Sequence, residues 1–216
     1  MHYNGHFCAP DPSGVGVWTA ADWTSEIAQF RRLLFAHKPA LPFGPPEVVG
    51  GRTPCLQGRL GLLYPVLARH GFRYDASQIV PLGRWPRRER GIWSFPLVEI
   101  PFVGHTFRVV SMDYNFLANQ AEEGPAQIEQ ETYRSIRNAF LVGYHGNRAP
   151  LSLGFHFETW EGGAYDRALS RFLLHACRLP EVRCTTFAAL ANWLDALPRS
   201  ALRRYRHGRF PHFKRR

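Results

Sequence analysis

The amino-acid sequence predicts an α/β fold, and three observations support that class. Helical and strand-like patterns alternate along the 216 residues, which favours strand–helix units around a parallel sheet. Hydrophobic residues make up 45% of the chain and charged residues 20%, a balance typical of globular proteins and not of disordered ones. No apolar run approaches the roughly 18–20 residues that a membrane helix needs, so we expect no transmembrane segment.

The helices are predicted from apolar residues that recur at helical spacing. Trp23, Ile27 and Phe30 lie on one face of the first helix. Pro65 lies inside the second, where it is expected to kink the helix, and Gly71 is its expected stop. The predicted helices cover residues 20–37, 57–70, 125–142, 164–177 and 186–197.

Strands are predicted from short apolar runs between turn-forming residues. Residues 84–96 are rich in Arg and Trp, and we expect them to form a loop. The sequence contains no repeat and no internal linker, so it predicts one domain over residues 1–198 and a basic tail over 199–216. The predicted strands are 48–52, 98–102, 106–112, 151–157 and 182–185.

The formal net charge of +10 is unevenly distributed. Residues 199–216 contain eight Lys or Arg and no acid, whereas the other 198 residues contain 19 bases and 17 acids. This nearly neutral body argues against a nucleic-acid-binding fold, so we expect no specific nucleic-acid partner. The tail is expected to be a solvated surface extension; the alternative is that its mixed bases and aromatics contact nucleic acid or an anionic surface.

Two histidines near the start of the chain are candidate metal ligands. His2 and His6 are four residues apart, a spacing that places two imidazoles on one side of a helical turn. Zinc accepts such a pair when a third ligand comes from elsewhere. The alternative is a pair of histidines without a metal role near a mobile terminus. Neither a positively charged region nor an apolar stretch follows Met1, so we expect no secretory signal in this sequence.

Three other residues are candidates because they lie where sites form in α/β folds. Arg52 follows a predicted strand and precedes a helix, where a guanidinium can hold a carboxylate. Asp113 ends a predicted strand, and His156 lies in an apolar one, where an imidazole can act as a general acid or base. The alternatives are a surface arginine, a turn or capping aspartate, and a buried core histidine.

Four cysteines are present without any C-x-x-C spacing, which argues against a structural zinc site. Cys8 follows His6 closely and Cys55 follows Arg52, so the two sulfurs are close if both motifs line one site. Cys177 and Cys184 flank a short loop. We therefore predict disulfides Cys8–Cys55 and Cys177–Cys184, which suit an oxidising compartment; four buried thiols are the alternative.

The order of these motifs resembles the polysaccharide deacetylases, the fourth family of carbohydrate esterases. His2-Tyr3-Asn4-Gly5-His6 resembles their metal-binding H-x-x-x-H motif, and Arg52-Thr53-Pro54 their Arg-x-Pro motif. Residues 67–77, which include Gly-Phe-Arg-Tyr-Asp-Ala-Ser, are similar to their helix and following strand. Asp113 matches the aspartate of the fourth motif. His156 matches the histidine of the fifth motif, Leu-x-His, with one extra residue. The likeness covers residues 2–197.

This resemblance implies a distorted (β/α) barrel that hydrolyses an N- or O-acetylated polysaccharide. It implies a divalent metal, zinc first, held by His2, His6 and an aspartate. It further implies that His156 protonates the leaving group, that Asp113 orients His156, and that Arg52 holds a base aspartate. Tyr114 and Trp160 are the expected substrate-binding residues.

The sequence departs from the family because the Thr-Phe-Asp-Asp motif, which precedes the histidine pair, is not found. We therefore expect a barrel that lacks its first strand, holds metal weakly and turns over slowly or not at all. The alternative is a catalytically inactive carbohydrate-binding or scaffold protein in which Trp85, Trp93 and Trp160 stack on sugars. The family likeness and the cysteine pairs imply a secreted or cell-envelope location for a full-length form.

Overall fold

The computed structural model describes residues 1–3, 5, 7–36, 41–120 and 122–211, which form helices and short strands in mixed α/β order. The chain divides into two compact units. The first unit comprises Met1–Gln78, Pro86–Pro96 and Phe187–Trp193, and the second comprises Ile79–Trp85, Leu97–Thr186 and Leu194–Arg216. The mixed α/β class is confirmed. The strands that the structure describes form two separate sheets, one in each unit, and no closed barrel.

The first unit contains a four-stranded sheet in the order β1-β2-β5-β4, with two helices. β1 pairs with β2, and β2 with β5, in parallel, whereas β4 and β5 form an antiparallel hairpin. Its core includes Trp23, Ile27, Leu63 and Tyr64, which supply the apolar faces of the helices. The elements are α1 (Ala20–Ala36), β1 (Gly50–Gly51), α2 (Leu60–Arg69), β2 (Tyr74–Asp75), β4 (Arg87–Glu89) and β5 (Ile92–Ser94).

The second unit contains a three-stranded sheet in the order β3-β6-β7, with helices packed around it. β3 and β6 are parallel, and β6 and β7 are antiparallel. Its core joins Ile100 of β6 to Ile136 and Phe172 of two long helices. The elements are β3 (Ile79–Pro81), β6 (Leu97–Pro101), β7 (Arg108–Val110), α3 (Asp113–Leu117), α4 (Pro125–His145), α5 (Trp160–Ala176) and α7 (Arg199–Arg206). A further helix, α6 (Phe187–Ala196), contributes residues to both units.

The predicted helices are confirmed, with small shifts of their ends. Pro65 lies inside α2 as expected, and Pro125 opens α4. α5 extends from Trp160, but its first residues Glu161, Gly162 and Gly163 have positive φ and form a left-handed turn, so the regular right-handed helix begins at Ala164, as predicted. Residues Arg199–Arg206, for which no element was predicted, form α7.

One loop and two strands predicted from the sequence were wrong. Residues 84–96 are not a loop: β4 and β5 form a hairpin through Arg90 and Gly91, both of which have positive φ. The sequence signal was weak because arginine is uncommon in this turn conformation. Residues 151–157 form one parallel bridge, from Gly154 to Met112, and no strand. Residues 182–185 have no regular structure.

No helix in the described part of the chain is long and apolar enough to cross a membrane.

Candidate functional site

A histidine–aspartate pair lies in the second unit, where two chain segments are tied together beyond the end of β7. The Gly154 N–H donates to the Ser111 carbonyl at 2.9 Å, and the Asp113 N–H donates to the Gly154 carbonyl at 3.0 Å. The buried Ser111 hydroxyl donates to the Ser152 carbonyl at 2.9 Å. These bonds hold residues 152–154 beside the start of α3, so His156 reaches Asp113 although no strand carries it.

Asp113 forms hydrogen bonds with both the backbone N–H and the ring of His156. The Nδ1 atom of His156 lies 2.7 Å from Oδ1 of Asp113, and the His156 backbone N–H donates to Oδ2 at 2.7 Å. The Tyr114 backbone N–H also donates to Oδ1, at 2.8 Å. Because an ionised carboxylate only accepts hydrogen bonds, Nδ1 carries a proton. Asp113 is 2% exposed and the His156 side chain 41%, so a buried acid orients a solvent-accessible imidazole.

Aromatic side chains surround this pair. The Trp160 ring centroid lies 5.3 Å from that of His156 and 6.1 Å from that of Tyr114, which is 54% exposed. Trp160 precedes the left-handed turn of Glu161–Gly163, where two glycines tolerate positive φ and Glu161 adopts a strained conformation. Phe157, next to His156, is fully exposed. Sequence reasoning missed Phe157 because it assigned residues 151–157 to an apolar strand.

His2 and Arg52 lie together in the first unit. They form an isolated parallel bridge, and the Nδ1 atom of His2 lies 2.9 Å from the Arg52 carbonyl oxygen. A carbonyl oxygen only accepts hydrogen bonds, so Nδ1 carries the proton and the lone pair is on Nε2. The helical turn expected at the start of the chain is not found among the described residues there. His6 lies outside the described residues.

The Arg52 side chain reaches the backbone next to a buried aspartate. Its Nε donates to the Ala76 carbonyl at 3.0 Å, beside Asp75, which is fully buried. The Ser77 hydroxyl donates to Asp75 at 2.6 Å and the Tyr64 hydroxyl at 3.3 Å. Burial raises the pKa of Asp75, and these hydrogen bonds and the charge of Arg52 offset part of that rise. The sequence indicated Asp75 only as part of a motif, and an Asp two residues before a Ser was its one local signal.

Both predicted disulfides are present. Cys8–Cys55 lies in the first unit and Cys177–Cys184 in the second, with Cα–Cα distances of 6.0 and 5.6 Å. The alternative of four free thiols is therefore wrong. Disulfides are typical of proteins from oxidising compartments, which favours an extracellular location.

Two of the tryptophans expected to stack on sugars are buried. Trp85 is 8% exposed, and its indole N–H donates to the Asn147 carbonyl at 2.9 Å. Trp93 is 4% exposed because it lies in the interior of β5. Neither ring offers a face to a glycan, whereas Trp160 is half-buried beside His156. The predicted site residues thus form two groups: His2 with Arg52 in the first unit, and Asp113, Tyr114, His156 and Trp160 in the second.

No protein-family model and no curated protein matches this sequence. Among solved structures, the chain is similar to a protein of Mycobacterium smegmatis that has been provisionally described as a polysaccharide deacetylase. The TM-score is 0.60 at 16% sequence identity, and the match covers 91% of this chain. It covers 62% of the other protein, so this chain spans less than two thirds of that length. The similarity shows that the two proteins share a fold.

Proposed function

We propose that this chain is a deacetylase-type hydrolase domain that acts on an acetylated glycan, with His156 as the proton donor to the leaving group. The observation that carries the proposal is the Asp113–His156 pair, in which a buried carboxylate lies 2.7 Å from Nδ1 of an accessible imidazole. The shared fold with a protein described as a polysaccharide deacetylase supports the substrate class. The expected barrel arrangement remains part of this proposal.

In the proposed reaction, the oxygen of a water molecule bonds to the acetyl carbon and the water loses a proton to the solvent. The bond between the acetyl carbon and the sugar nitrogen breaks, which gives acetate and an amine. The leaving nitrogen takes a proton from Nε2 of His156. Asp113 acts as a positioning residue: by accepting from Nδ1, it fixes the ring and places the transferable proton on the opposite nitrogen. The same carboxylate stabilises the doubly protonated imidazolium that precedes the transfer.

The aromatic groups around His156 are proposed to hold the sugar. Tyr114 and Trp160 lie with their ring centroids 6.1 Å apart, and exposed aromatic faces are a common binding surface for apolar ring faces. We propose that these two residues bind the sugar next to the acetyl group. Such contacts supply orientation, which lowers the entropy cost of the reaction.

The described residues do not complete the metal site that the resemblance implies. His2 has the tautomer expected of a metal ligand, because its Nδ1 donates to a backbone carbonyl. In the described part of the chain, however, no Asp, Glu or Cys is placed with His2 to form a three-ligand set. Zinc held by His2 and His6 therefore stays a proposal, as does the role of Arg52, and no step of the mechanism is derived through either.

A second candidate function is glycan binding without turnover. The exposure of Phe157 and Tyr114 beside His156 favours it, because large exposed aromatics serve a binding protein as well as an enzyme. On this alternative, His156 contributes only a hydrogen bond to the sugar.

The two functions are separated by measuring acetate release from acetylated oligosaccharides and, in parallel, their binding by calorimetry. For the enzyme, His156→Ala lowers turnover by about 10²–10⁴-fold and leaves binding within a few-fold. His175→Ala, which removes an exposed imidazole at the end of α5, is the matched control and changes neither quantity. Binding without acetate release from the unaltered chain supports the second function. Absence of both overturns the assignment of an acetylated glycan.

A further inference from the structure

A second group of ionisable side chains lies in the second unit and takes no part in the proposed reaction. Nε2 of His105 is 3.5 Å from a carboxylate oxygen of Glu123 and 3.6 Å from one of Glu131. The ligand-type atoms of all three side chains lie within 4.8 Å of one another. The three side chains are only 14–19% exposed, so the group is largely withdrawn from water.

The imidazole of His105 has a buried nitrogen without a hydrogen-bond partner. Nε2 is inaccessible to solvent and forms no hydrogen bond, although two carboxylates face it. The ring stacks on Phe102, with centroids 3.9 Å apart. Buried nitrogen atoms nearly always have a partner, so this orphaned one indicates a missing group.

The spacing of the three ligand atoms fits a shared cation better than direct hydrogen bonds. Direct N–H···O bonds are about 2.7–3.2 Å long. Tetrahedral zinc, with bonds of about 2.0–2.2 Å to nitrogen and oxygen, keeps neighbouring ligand atoms about 3.3–3.5 Å apart. The separations of 3.5 and 3.6 Å around His105 lie close to that second value.

A buried amide holds both carboxylates in place. Gln120 is 1% exposed, and its Nε2 donates to Glu123 at 3.0 Å and to Glu131 at 3.2 Å. Its amide oxygen lies within 3.4 Å of the Tyr165 hydroxyl, which donates to it and fixes the orientation of the amide. Gln127 donates to the other oxygen of Glu131 at 3.1 Å. Hydrogen-bonded carboxylates of this kind are usual around bound metals.

The electrostatics and the backbone also suit a cation. The carboxylates of Glu123 and Glu131 both contact the same amide nitrogen of Gln120, so two groups of the same charge lie side by side in a largely buried place. Gly104, with φ of +88°, lets the loop approach Glu131: a Cβ there would lie 2.7 Å from its carboxylate oxygen. A divalent cation would neutralise both carboxylates and satisfy the orphaned nitrogen.

We propose that His105, Glu123 and Glu131 bind a divalent cation, zinc before others, with a water molecule as the fourth ligand. The site is independent of the proposed deacetylase function and of His2 and His6. One imidazole and two carboxylates suit zinc among the biological cations, because magnesium and calcium prefer oxygen ligands alone. His105 lies in the loop between β6 and β7, Glu123 just before α4, and Glu131 within α4. A bound cation would therefore link these three segments of the second unit.

The test is zinc binding by the full chain carrying His2→Ala and His6→Ala, which removes the other candidate ligands. Metal-stripped protein is titrated with zinc chloride by calorimetry, and the bound metal is counted by native mass spectrometry. One zinc ion per chain is expected. In the same background, Glu131→Gln is expected to weaken binding by at least the 10–100-fold that loss of an outer partner costs. Glu122→Gln, at an exposed neighbour, is the matched control and leaves affinity unchanged.

Two results would overturn the proposal: no zinc bound by the double-alanine chain, or equal affinity for the Glu131→Gln chain and its parent. Circular dichroism of the metal-free variants checks that they fold. If Glu131→Gln unfolds, Glu123→Gln takes its place, since Gln120 can still donate to an amide oxygen there. A zinc-dependent rise in Tm that disappears with either glutamine variant and persists with Glu122→Gln also supports the site.

Discussion

Replacing Asp113 with asparagine turns one of its two hydrogen-bond-accepting oxygens into a donor at a place where every neighbour donates. Oδ1 accepts from the Tyr114 N–H and from Nδ1 of His156, and Oδ2 accepts from the His156 backbone N–H. If the amide oxygen takes the first position, the NH₂ group faces the His156 backbone N–H. If it takes the second, the NH₂ group faces the Tyr114 N–H and Nδ1.

Either orientation leaves at least one backbone N–H facing another donor in a site where Asp113 is 2% exposed. An unsatisfied buried donor costs about 1–3 kcal/mol, so we expect Asp113→Asn to lower the free energy of unfolding by that amount. In the second orientation, Nδ1 must accept, which moves the ring proton to Nε2. In either orientation, Asp113→Asn changes the hydrogen bonds that position His156, so any turnover should also fall by about 10²–10⁴-fold.

The stability change is measured by urea denaturation, where the midpoint should fall at a constant slope. Long-range ¹H–¹⁵N NMR spectra report which ring nitrogen of His156 carries the proton. The control is Glu158→Gln, the same change at an exposed residue close to His156, which should stay within about 0.5 kcal/mol of the parent. An Asp113→Asn chain as stable as its parent, with unchanged ring signals, would refute the reasoning.

Three other predictions concern the stability of the fold. Gly50→Ala places a Cβ 2.0 Å from the Tyr74 ring and should lower stability by about 1–3 kcal/mol or more. Gly61→Ala in α2 places a Cβ that meets nothing within 4 Å and should raise stability by about 0.5–1 kcal/mol. Thermal denaturation of both variants compares the two effects. Replacing the cysteines of Cys8–Cys55, which are 47 residues apart, with serine should lower the free energy of unfolding by about 4 kcal/mol. The same replacement at Cys177–Cys184, which are 7 residues apart, should lower it by about 2.5 kcal/mol, and equal losses would contradict this dependence on loop length. Because the pKa of Asp75 is raised, the folded state binds its proton more tightly than the unfolded state does. Its contribution to stability is therefore complete below its unfolded pKa of about 4 and is lost as the pH rises through the folded pKa. Asp75→Asn should abolish that loss of stability, and parallel pH–stability curves for the variant and its parent would argue against the reasoning.

The helices were predictable because each carries its own periodic signal. α1 shows Trp23 and Ile27 at helical spacing, and both are fully buried. Turn chemistry was less informative. The β4–β5 hairpin turns through Arg90 and Gly91, and arginine carries no strong preference for positive φ, so the sequence predicted a loop.

The candidate site could be predicted in its members but not in its arrangement. Asp113 and His156 were named from the sequence, yet their contact depends on backbone bonds from residues 152–154 to residues 111–113, which no local pattern encodes. For Trp85 and Trp93, the prediction that their rings are exposed to sugars was wrong. A tryptophan in an arginine-rich segment suggests an exposed ring, and only tertiary packing determines that both rings are buried.

By itself, the sequence determined the α/β class, the helices and the Cys177–Cys184 pair, because periodicity and short-range spacing are local properties of a chain. The Cys8–Cys55 pair, 47 residues apart, was predicted only on the condition that two motifs line one site. Only the tertiary structure decided which polar groups meet. His105 and Glu131 are 26 positions apart with no shared motif, and their approach depends on Gly104 and on the buried amide of Gln120. Contacts between distant residues are set by how the elements pack, and that packing is the sum of many weak interactions that no short stretch of sequence contains.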